Sequence, residues 1–362
     1  MIFSVLFGIL ILTLYPDMRY NVTIQETLAR TVQVDADSLN DAESAIRRLY
    51  RDCEIVLADG DYRGTEFLID DFVPFYKSPN NDFTLIQGDC VETLSKFEFG
   101  FDMVFADPPY FLSGGGISCQ SGKVVCVDKG EWDKPTTAED MDAFNLRWLA
   151  AVREHMKENA TIWISGTHHN IFSVQQQLLK LGFKILNVIT WAKTNPPPNI
   201  SCRYFTYSTE FIIWARKSQK VAHYYNYELM KELNDNKQMT DVWRLPAIGK
   251  WEKSCGKHPT QKPLGVLARL IQASTKPGAW ILDPFSGSAT TGIAANLLCR
   301  RFLGLEIEDE FLAMSRARRM EIERVDVRSD FMERLAKARC VPLQTPLFVG
   351  EEDASSYGVP WL

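Results

Sequence analysis

Short apolar runs alternate with longer amphipathic stretches along the chain after residue 83. The apolar runs have the length of buried strands, and they are Phe83–Ile86, Met103–Ala106, Thr161–Ser165, Ile185–Trp191, Phe211–Ala215, Trp280–Leu282 and Phe302–Leu305. The helical stretches between them include Ala138–Met156, Val174–Leu181, Pro263–Ser274 and Gly292–Leu298. Strands that alternate with helices are typical of a mostly parallel sheet covered on both faces. The pattern therefore predicts a three-layer α/β fold.

The first 82 residues follow other patterns. Residues 1–17 are apolar as far as Pro16-Asp17, but they are shorter than the roughly 20 residues of a membrane span and lack the basic start and cleavage site of a signal peptide. An anchor, a buried element and an upstream start codon all stay open for this segment. Residues 18–77 predict a small α+β module, and the turn-rich segment Ser78–Asp82 predicts a linker. The predicted elements of the module are strands at Tyr20–Ile24, Thr31–Val34 and Glu54–Leu57 and a helix after Asp37 that ends at Tyr50.

Charge is distributed unevenly along the chain. Residues 18–75 hold twelve Asp and Glu against six Arg and no Lys, which accounts for the whole net charge of −6. Residues 193–276 hold fourteen Lys and Arg against six acids, interleaved with Trp and Tyr. Such a stretch suits phosphates and bases, although a solvated face over core aromatics fits equally well. The eight cysteines show no metal-ligand spacing, so we expect no metal site and a reducing cytoplasm.

The motif Asp107-Pro108-Pro109-Tyr110 directly follows a predicted strand. The motif suits chemistry on an exocyclic ring amine. Such an amine is a poor nucleophile because its lone pair is delocalised, and hydrogen-bond acceptors for its N–H groups make it more reactive. The Asp107 carboxylate and the Pro108 carbonyl are two such acceptors, and the prolines fix the turn. Tyr110 offers a flat face for a base flipped out of a duplex. On this motif alone, a strand-ending turn with a buried Tyr stays open.

A second strand, loop and helix follow at Trp280–Leu282. The loop from Asp283 to Thr291 is rich in small residues, and such a loop before a helix lets backbone N–H groups meet a ligand. Gly287 allows close approach of that ligand. Glu306, at the end of the next predicted strand, is placed to accept two ribose hydroxyls.

Together the two motifs resemble the permuted, β-group DNA amino-methyltransferases over roughly residues 83–325. The resemblance implies a Rossmann-like sheet of permuted topology, S-adenosylmethionine as cofactor and direct methyl transfer to an amine of DNA. It implies that the cofactor is bound by Asp89, Cys90, Lys262, Asp283, Phe285, Gly287, Ser288, Thr290, Thr291 and Glu306. Ala289 departs from the family, which commonly has Gly there, so we expect slight crowding of the cofactor.

Longer strings narrow the resemblance. FADPPYFLSGGGIS, VDKGEWDK and TNPPPNISCRYFTYSTE are similar to the second, adenine-specific methyltransferase of GATC-recognising restriction–modification systems, which implies transfer to N6 of adenine. Asp107 favours adenine over N4 of cytosine, because cytosine enzymes of this family more often carry Ser there. Residues 18–77 resemble the DpnD/PcfM-like domain. The alternatives are an N4-cytosine methyltransferase and a non-catalytic DNA-binding or anti-restriction adaptor.

The target-recognition region is expected at residues 194–257, and a glycine-rich flap at Ser113–Gly116. Phosphate or guanine contacts are expected from its basic residues, which are Arg203, Lys217, Lys220, Lys231, Lys237, Arg244, Lys250, Lys253 and Lys257. Residues 326–362 are expected to form a C-terminal tail. The expected partners are DNA and a cognate restriction endonuclease system, a homodimer is left open, and no membrane is expected.

Overall fold

The structure is a computed structural model that describes two units of the chain, within Met1–Val73 and Pro74–Leu362. The described residues are 21–28, 32, 39–51, 54–55, 62–70, 74–96, 98–111, 117–120, 123–126, 137–196, 198–199, 202–256 and 258–342. Residues 1–17, the expected flap Ser113–Gly116 and Lys257 lie outside them, as does nearly all of the strand expected at Thr31–Val34.

The first unit pairs two antiparallel strands, β1 (Asn21–Leu28) and β2 (Tyr62–Asp70). A helix, α1 (Leu39–Arg51), lies between them in the sequence, as predicted. The strand expected to begin at Glu54 does not begin there. The backbone N–H groups of residues 54 and 55 both donate to the carbonyl of Leu49, so these residues complete the helix end instead of pairing with a strand.

A nine-stranded sheet lies at the centre of the second unit, within the residues that the structure describes. Its strands in chain order are β3 (Tyr76–Lys77), β4 (Phe83–Gln87), β5 (Phe101–Ala106), β8 (Met156–Gly166), β9 (Lys184–Lys193), β10 (Thr209–Arg216), β11 (Val242–Leu245), β12 (Trp280–Asp283) and β13 (Arg301–Glu306). Their order across the sheet is β11-β9-β10-β8-β5-β12-β13-β4-β3. A separate antiparallel pair consists of β6 (Ile117–Gln120) and β7 (Lys123–Cys126).

The helices of the second unit fall into two groups by their mutual contacts. One group holds α2 (Cys90–Leu94), α3 (Ala138–Glu154) and α4 (Ile171–Lys180), and the other holds α5 (Tyr227–Glu232), α6 (Leu264–Ser274), α7 (Thr290–Leu297) and α8 (Asp309–Glu321), followed by α9 (Val325–Lys337). Thr137 caps α3 by accepting a hydrogen bond from the N–H of Asp140. A large sheet with two groups of helices confirms the predicted α/β fold.

Most neighbouring strands at the centre of the sheet are parallel. β5 pairs in parallel with β8 and β12, and β13 pairs in parallel with β12 and β4. The carboxyl ends of these strands therefore meet at one edge, which we call the carboxyl edge. β10 is antiparallel to β8 and β9, so it begins at the carboxyl edge and ends at the opposite edge. Ligands of open α/β sheets bind at the carboxyl edge.

The chain stays folded beyond residue 325, where a tail was expected to begin at residue 326. Helix α9 buries Phe331, Met332 and Leu335 in the main core, and Phe331 meets the ring of Trp251 edge-on at 5.0 Å. The expectation of a tail was therefore wrong as far as residue 342. Helix α9 is hard to recognise in the sequence, because its few apolar residues lie on one helical face among many charged ones. Within the described residues, no helix has both the length and the apolar character needed to cross a membrane.

Candidate active site

Asp107 follows the last residue of β5 at the carboxyl edge, and both of its carboxylate oxygens are held. The Tyr110 hydroxyl donates to Oδ1 over 2.6 Å, and Lys262 Nζ lies 2.5 Å from Oδ2. The Asp107 side chain is 12% exposed. Each oxygen has further lone-pair capacity, so the carboxylate is able to accept another N–H group from a ligand.

Tyr110 points into the protein. Its hydroxyl also lies 3.1 Å from Ser165 Oγ, and Lys262 Nζ lies 5.3 Å from the centre of its ring. Burial, with the adjacent Asp107 carboxylate, raises the pKa of Tyr110 well above its usual value. The ring is only 6% exposed, so the open stacking face expected from the sequence is not available in this conformation.

The turn that follows Asp107 is fastened to the loop after β8. Asn170 donates from Nδ2 to the Pro109 carbonyl over 3.4 Å, and its Oδ1 accepts from the N–H of Thr167. Gly166 makes room for this contact, because a Cβ there would lie 2.7 Å from Asn170 Oδ1. Asn170 could not be predicted from the sequence, since its contact depends on β8 lying beside β5.

Lys262 was expected to bind the cofactor, and the structure places its ammonium group between two carboxylates. Besides Asp107, Lys262 Nζ lies 3.8 Å from Oε2 of Glu210 on β10. Lys193 Nζ lies 2.5 Å from Oε1 of the same Glu210. Burial lowers the pKa of Lys262, but Asp107 and Glu210 outweigh it, so the net shift is upward. Glu210 had no assigned role, although a carboxylate at the start of an inner strand is a signal for one.

Asp283 ends β12, the strand next to β5 in the sheet. Its Oδ1 accepts from the N–H of Phe285 over 3.1 Å, and its Oδ2 accepts from Thr291 Oγ1 over 2.5 Å. Burial raises the pKa of Asp283 to about 7, although both hydrogen bonds oppose this shift. A buried carboxyl group therefore fixes both ends of the loop that connects β12 to α7.

Glu306 ends β13 and turns its carboxylate onto the same loop. Its Oε2 accepts from the N–H of Gly287 over 2.7 Å, and its Oε1 accepts from the N–H groups of Ile307 and Glu308. Burial raises the pKa of Glu306 against these three hydrogen bonds. The carboxylate is thus oriented by backbone donors at the position where the sequence predicts ribose binding.

Gly287 has a φ of +49°, and the space beside it is filled by His258. A Cβ at Gly287 would lie 2.8 Å from His258 Nε2. The imidazole packs edge-on against Phe311 at 4.2 Å. Burial, with Lys262 and Arg318 nearby, lowers the pKa of His258 to about 4, so the ring is neutral at physiological pH. His258 therefore packs against the loop at Gly287 and limits the space beside it. The sequence motif alone did not reveal this contact.

Three residues expected to bind the cofactor hold the loop together. Ser288 and Thr290 are almost fully buried, and Arg318 of α8 donates to the Ser288 carbonyl, to Ser288 Oγ and to Thr290 Oγ1. Thr291 binds Asp283 as described. Ala289 has a left-handed backbone (φ +51°) and its methyl group is fully buried in the core. Gly adopts such a backbone without a steric cost, and the methyl group of Ala289 is accommodated in the core.

Asp89 and Cys90 lie beside Glu306, because β4 and β13 are parallel neighbours and the N–H of Gly88 donates to the Glu306 carbonyl. Asp89 Oδ1 caps α2 by accepting from the N–H groups of Val91 and Glu92. Cys90 is buried, which raises the pKa of its thiol to about 12. Asp89 therefore adjoins the candidate ligand site, whereas the Cys90 side chain points into the protein.

The residues expected to contact DNA do not share one surface. Arg203, Arg244 and Lys250 are exposed near the carboxyl edge, and Lys253 is partly exposed there. Lys217 was misassigned: it follows β10 at the opposite edge, where it donates to the Met156 carbonyl and pairs with Glu158. Lys220 is exposed at that same opposite edge. The remaining two residues, Lys231 and Lys237, lie on and just after α5.

Exposed aromatic side chains flank the carboxyl edge just before β10. Phe205 is 96% exposed, and Tyr204 and Tyr207 are more than half exposed. The Tyr207 ring stacks on His168 at 4.9 Å, and His168 precedes by two residues the Asn170 that holds Pro109. The aromatic segment is therefore attached to the turn that carries Asp107.

Comparison with known proteins shows which families the chain resembles. The DNA methylase family model matches residues 101–317, and the DpnD/PcfM-like protein model matches residues 20–65. The chain is 54% identical to type II methyltransferase M2.MboI of Moraxella bovis over 265 residues, which are 73% of this chain and 97% of that protein. It is 56% identical to type II methyltransferase M2.DpnII of Streptococcus pneumoniae over 252 residues, which are 69% and 93% of the two chains.

Two solved structures share the fold. The M1.HpyAVI–SAM complex has 26% identity and a TM-score of 0.51, over 65% of this chain and 98% of that one. The cytosine-N4-specific PvuII DNA methyltransferase has 18% identity and a TM-score of 0.55, over 74% and 96%, and therefore supports the fold alone. A family model that covers more than half of the chain, together with relatives matched along nearly their whole length, establishes that the chain belongs to the DNA methylase family and is a DNA methyltransferase.

Proposed function

We propose that the chain methylates N6 of adenine in GATC sequences of DNA, with S-adenosylmethionine as the methyl donor. The observation that carries this proposal is the Asp107 carboxylate at the end of β5, directly beside the loop that begins at Asp283 on the paired strand β12. An acceptor for the target amine and a loop for the methyl donor then share the carboxyl edge. Asp107 favours adenine, whereas N4 of cytosine is the second candidate because its amine has similar chemistry.

The residues around the loop fit S-adenosylmethionine. Glu306 presents a carboxylate oriented by three backbone N–H groups, which suits two ribose hydroxyls, and Asp89 lies beside it. Ser286 Oγ is buried, and no hydrogen-bond partner for it exists among the described residues, so it has capacity for a ligand. Asp283 supplies a buried carboxyl group near the loop. When bound, the cofactor supplies an electrophilic methyl group on a sulfonium.

Asp107 acts on the target base. Its oxygens accept an N–H group of the adenine amine, and the Pro108 carbonyl accepts the other, which favours the pyramidal, nucleophilic form of the nitrogen. The nitrogen held in this way would attack the methyl carbon as the bond from that carbon to the sulfonium sulfur breaks and its electron pair goes to sulfur, and the excess proton would leave the nitrogen towards Asp107 or water. Stacking of the flipped base on Tyr110 requires its ring to move from the buried position described above.

The DNA lies along the carboxyl edge in this proposal. Arg203, Arg244 and Lys250 supply exposed cations for phosphates, and Tyr204 and Phe205 supply apolar rings beside them. Such a surface supports double-stranded DNA that is opened at one base. The further proposed partner is a cognate restriction endonuclease in the cytoplasm, whose cleavage the methylation would block, and light scattering would show whether the enzyme acts as a monomer or a homodimer.

One experiment tests the reaction and its target together. The purified protein is incubated with labelled S-adenosylmethionine and with duplexes that differ only in having GATC or a scrambled site, and the product nucleosides are identified by mass spectrometry. We expect N6-methyladenine in GATC duplexes alone. N4-methylcytosine would contradict the base, methylation of the scrambled duplex would contradict the sequence, and full activity of Asp107→Asn would contradict the site.

A further inference from the structure

Four charged side chains of alternating sign lie in a row at the candidate site. They run from Lys193 through Glu210 and Lys262 to Asp107, with N–O distances of 2.5, 3.8 and 2.5 Å. All four are largely buried, with side-chain exposures between 9% and 20%. They come from four separate segments, namely the end of β9, the start of β10, the loop before α6 and the end of β5.

An arrangement of this kind needs an explanation beyond stability. Buried charges are costly to desolvate, and apolar residues of similar size often serve the fold as well. Of these four residues, only Asp107 has a role in the proposed reaction. Lys262 and Glu210 are mostly shielded from solvent, with side-chain exposures of 9% and 14%, so a role that acts through Asp107 would explain why these charges are kept.

We propose that Lys262 is the positioning residue of Asp107, and that Glu210 balances the charge of Lys262. This inference rests on the proposed function, because it concerns how Asp107 meets the target amine. The ammonium group of Lys262 binds Oδ2, so it holds the Asp107 carboxylate even when the Tyr110 hydroxyl leaves Oδ1 as its ring moves to stack on the base.

Lys262 does not act as the base. Its pKa is raised, so it keeps its proton and is unable to take one from the amine. Without a counter-charge, the Lys262 ammonium group would slow the reaction. Positive charge develops on the target nitrogen during methyl transfer, and a nearby cation repels it. Glu210 offsets the charge of Lys262 through Oε2, and Lys193 in turn pairs with Oε1 of Glu210. The other ionisable groups that face Asp107 are Tyr110 and Asp283.

The test compares pH–rate profiles of kcat/KM for Lys262→Met, Glu210→Gln and the double variant. In Lys262→Met, Asp107 loses its cation and faces Glu210, so the acid limb should move to higher pH, with the lost rate recovered there. The double variant removes the opposing carboxylate as well, so its acid limb should lie closer to that of the wild type. Glu210→Gln alone should lower kcat more than it changes the KM for DNA.

A control variant separates this role from the general loss of a buried lysine. Lys217→Met removes a lysine of similar burial at the opposite edge, and it should leave the acid limb in place. Binding of S-adenosylmethionine, measured by calorimetry, should change less than threefold in Lys262→Met, and Lys262→Arg should restore part of the wild-type profile. Thermal unfolding of every variant shows whether it is folded.

Two outcomes would overturn the inference. One is an unshifted acid limb in folded Lys262→Met, and the other is a loss of cofactor affinity that accounts for the whole loss of rate, which would make Lys262 a cofactor ligand. Inactive Asp107→Asn with an unshifted profile in Lys262→Met would reject the positioning role and leave the proposed reaction standing. Active Asp107→Asn would reject the proposed reaction itself.

Discussion

The imidazole of His258 fills the space into which a side chain at Gly287 would project, 2.8 Å from an ideal Cβ. Gly287 also has a left-handed backbone, which costs an L residue about 1–2 kcal/mol. We therefore expect Gly287→Ala to lower the free energy of unfolding by about 2–4 kcal/mol and to raise the Kd for S-adenosylmethionine. Urea unfolding and calorimetry measure the two effects.

Gly182→Ala is the matched control for this prediction. Gly182 also has a positive φ, at +77°, but a Cβ there would meet no atom within 4 Å. It should therefore show the backbone cost alone and leave cofactor binding unchanged. Equal losses in both variants would mean that His258 does not restrict the loop.

Asp283 should make the protein less stable as the pH rises. Its folded pKa of about 7 lies above the ordinary value of 3.8, so the folded state holds a proton that the unfolded state releases. This contribution to stability is fully present below the unfolded pKa and is lost as the pH rises through the folded pKa. Between about pH 5 and about pH 7 the loss should be on the order of 2 kcal/mol.

Asp283→Asn removes this proton and serves as the comparison. Urea unfolding of both proteins at the two pH values gives the difference, in which the other ionisable groups largely cancel. We expect the wild type to lose more stability than the variant towards neutral pH. The same slope in both proteins would show that the buried carboxyl group ionises with an ordinary pKa.

Arg339→Gly should stabilise the protein. Helix α9 ends in a Schellman motif, with the N–H of Cys340 bound to the Leu335 carbonyl and the N–H of Arg339 bound to the Ala336 carbonyl. Arg339 adopts a φ of +53°, which Gly adopts without a steric cost. We expect a gain of about 1 kcal/mol in thermal or urea unfolding, less the small contribution of the exposed ion pair with Asp235.

Arg339→Ala separates the steric cost of the left-handed backbone from the contribution of the ion pair, because it removes the ion pair and keeps the Cβ. The glycine variant should exceed the alanine variant by about 1 kcal/mol. If the alanine variant is as stable as the glycine variant, the left-handed backbone at this position carries no measurable strain.

Phe205→Ala should weaken DNA binding without affecting cofactor binding. The ring is 96% exposed beside the turn that carries Asp107, where it would stack on bases or enter the gap left by a flipped base. The loss of such stacking costs about 1–3 kcal/mol, or roughly a tenfold to hundredfold rise in Kd for a GATC duplex. Leu179→Ala removes an exposed apolar side chain at the far end of α4, and fluorescence anisotropy should show wild-type affinity for it.

Removal of the first unit should leave methyl transfer intact. All of the candidate site lies after residue 83, and M2.MboI is matched over 97% of its length by 265 residues of this chain. The truncated chain should begin at Pro74, because it then keeps β3, which pairs with β4. A start at Lys77 would remove half of β3. The truncated chain should methylate DNA, with tighter DNA binding at low salt because an acidic segment is lost. A monodisperse product that binds cofactor but does not methylate would show that the first unit takes part in catalysis.

The parts of the site that are local in sequence could be predicted from it. Asp107 and Asp283 each follow an apolar run and precede a turn. The strand, the turn and the functional carboxylate can therefore be predicted from about ten consecutive residues. Asn170 and Arg318 could not be found in this way, because their contacts depend on which strands and helices become neighbours. For Glu210 the local signal is a carboxylate at the start of a strand, but its partners also depend on the neighbouring strands. Helix α9 was missed for a similar reason, since its apolar face is recognisable only once a core exists to receive it.

Resemblance also has a limit that Lys262 illustrates. Its motif was interpreted as part of the cofactor site, and the motif gave no indication that its ammonium group lies 2.5 Å from Asp107. Tyr110 shows the same limit, because a motif specifies which residue is present and not which way its ring is turned.

The direct pairing of β5 with β12, through Met103 opposite Ile281 and Val104 opposite Leu282, has an evolutionary consequence. The two strands that end in Asp107 and Asp283 are adjacent in space, while β8, β9, β10 and β11 are inserted between them in the chain and extend the sheet to one side. Insertions, deletions and exchanges in that intervening segment can alter which DNA sequence is read without separating acceptor from donor. Divergence of target sequence among relatives should therefore concentrate there, and the ladder between β5 and β12 should change least.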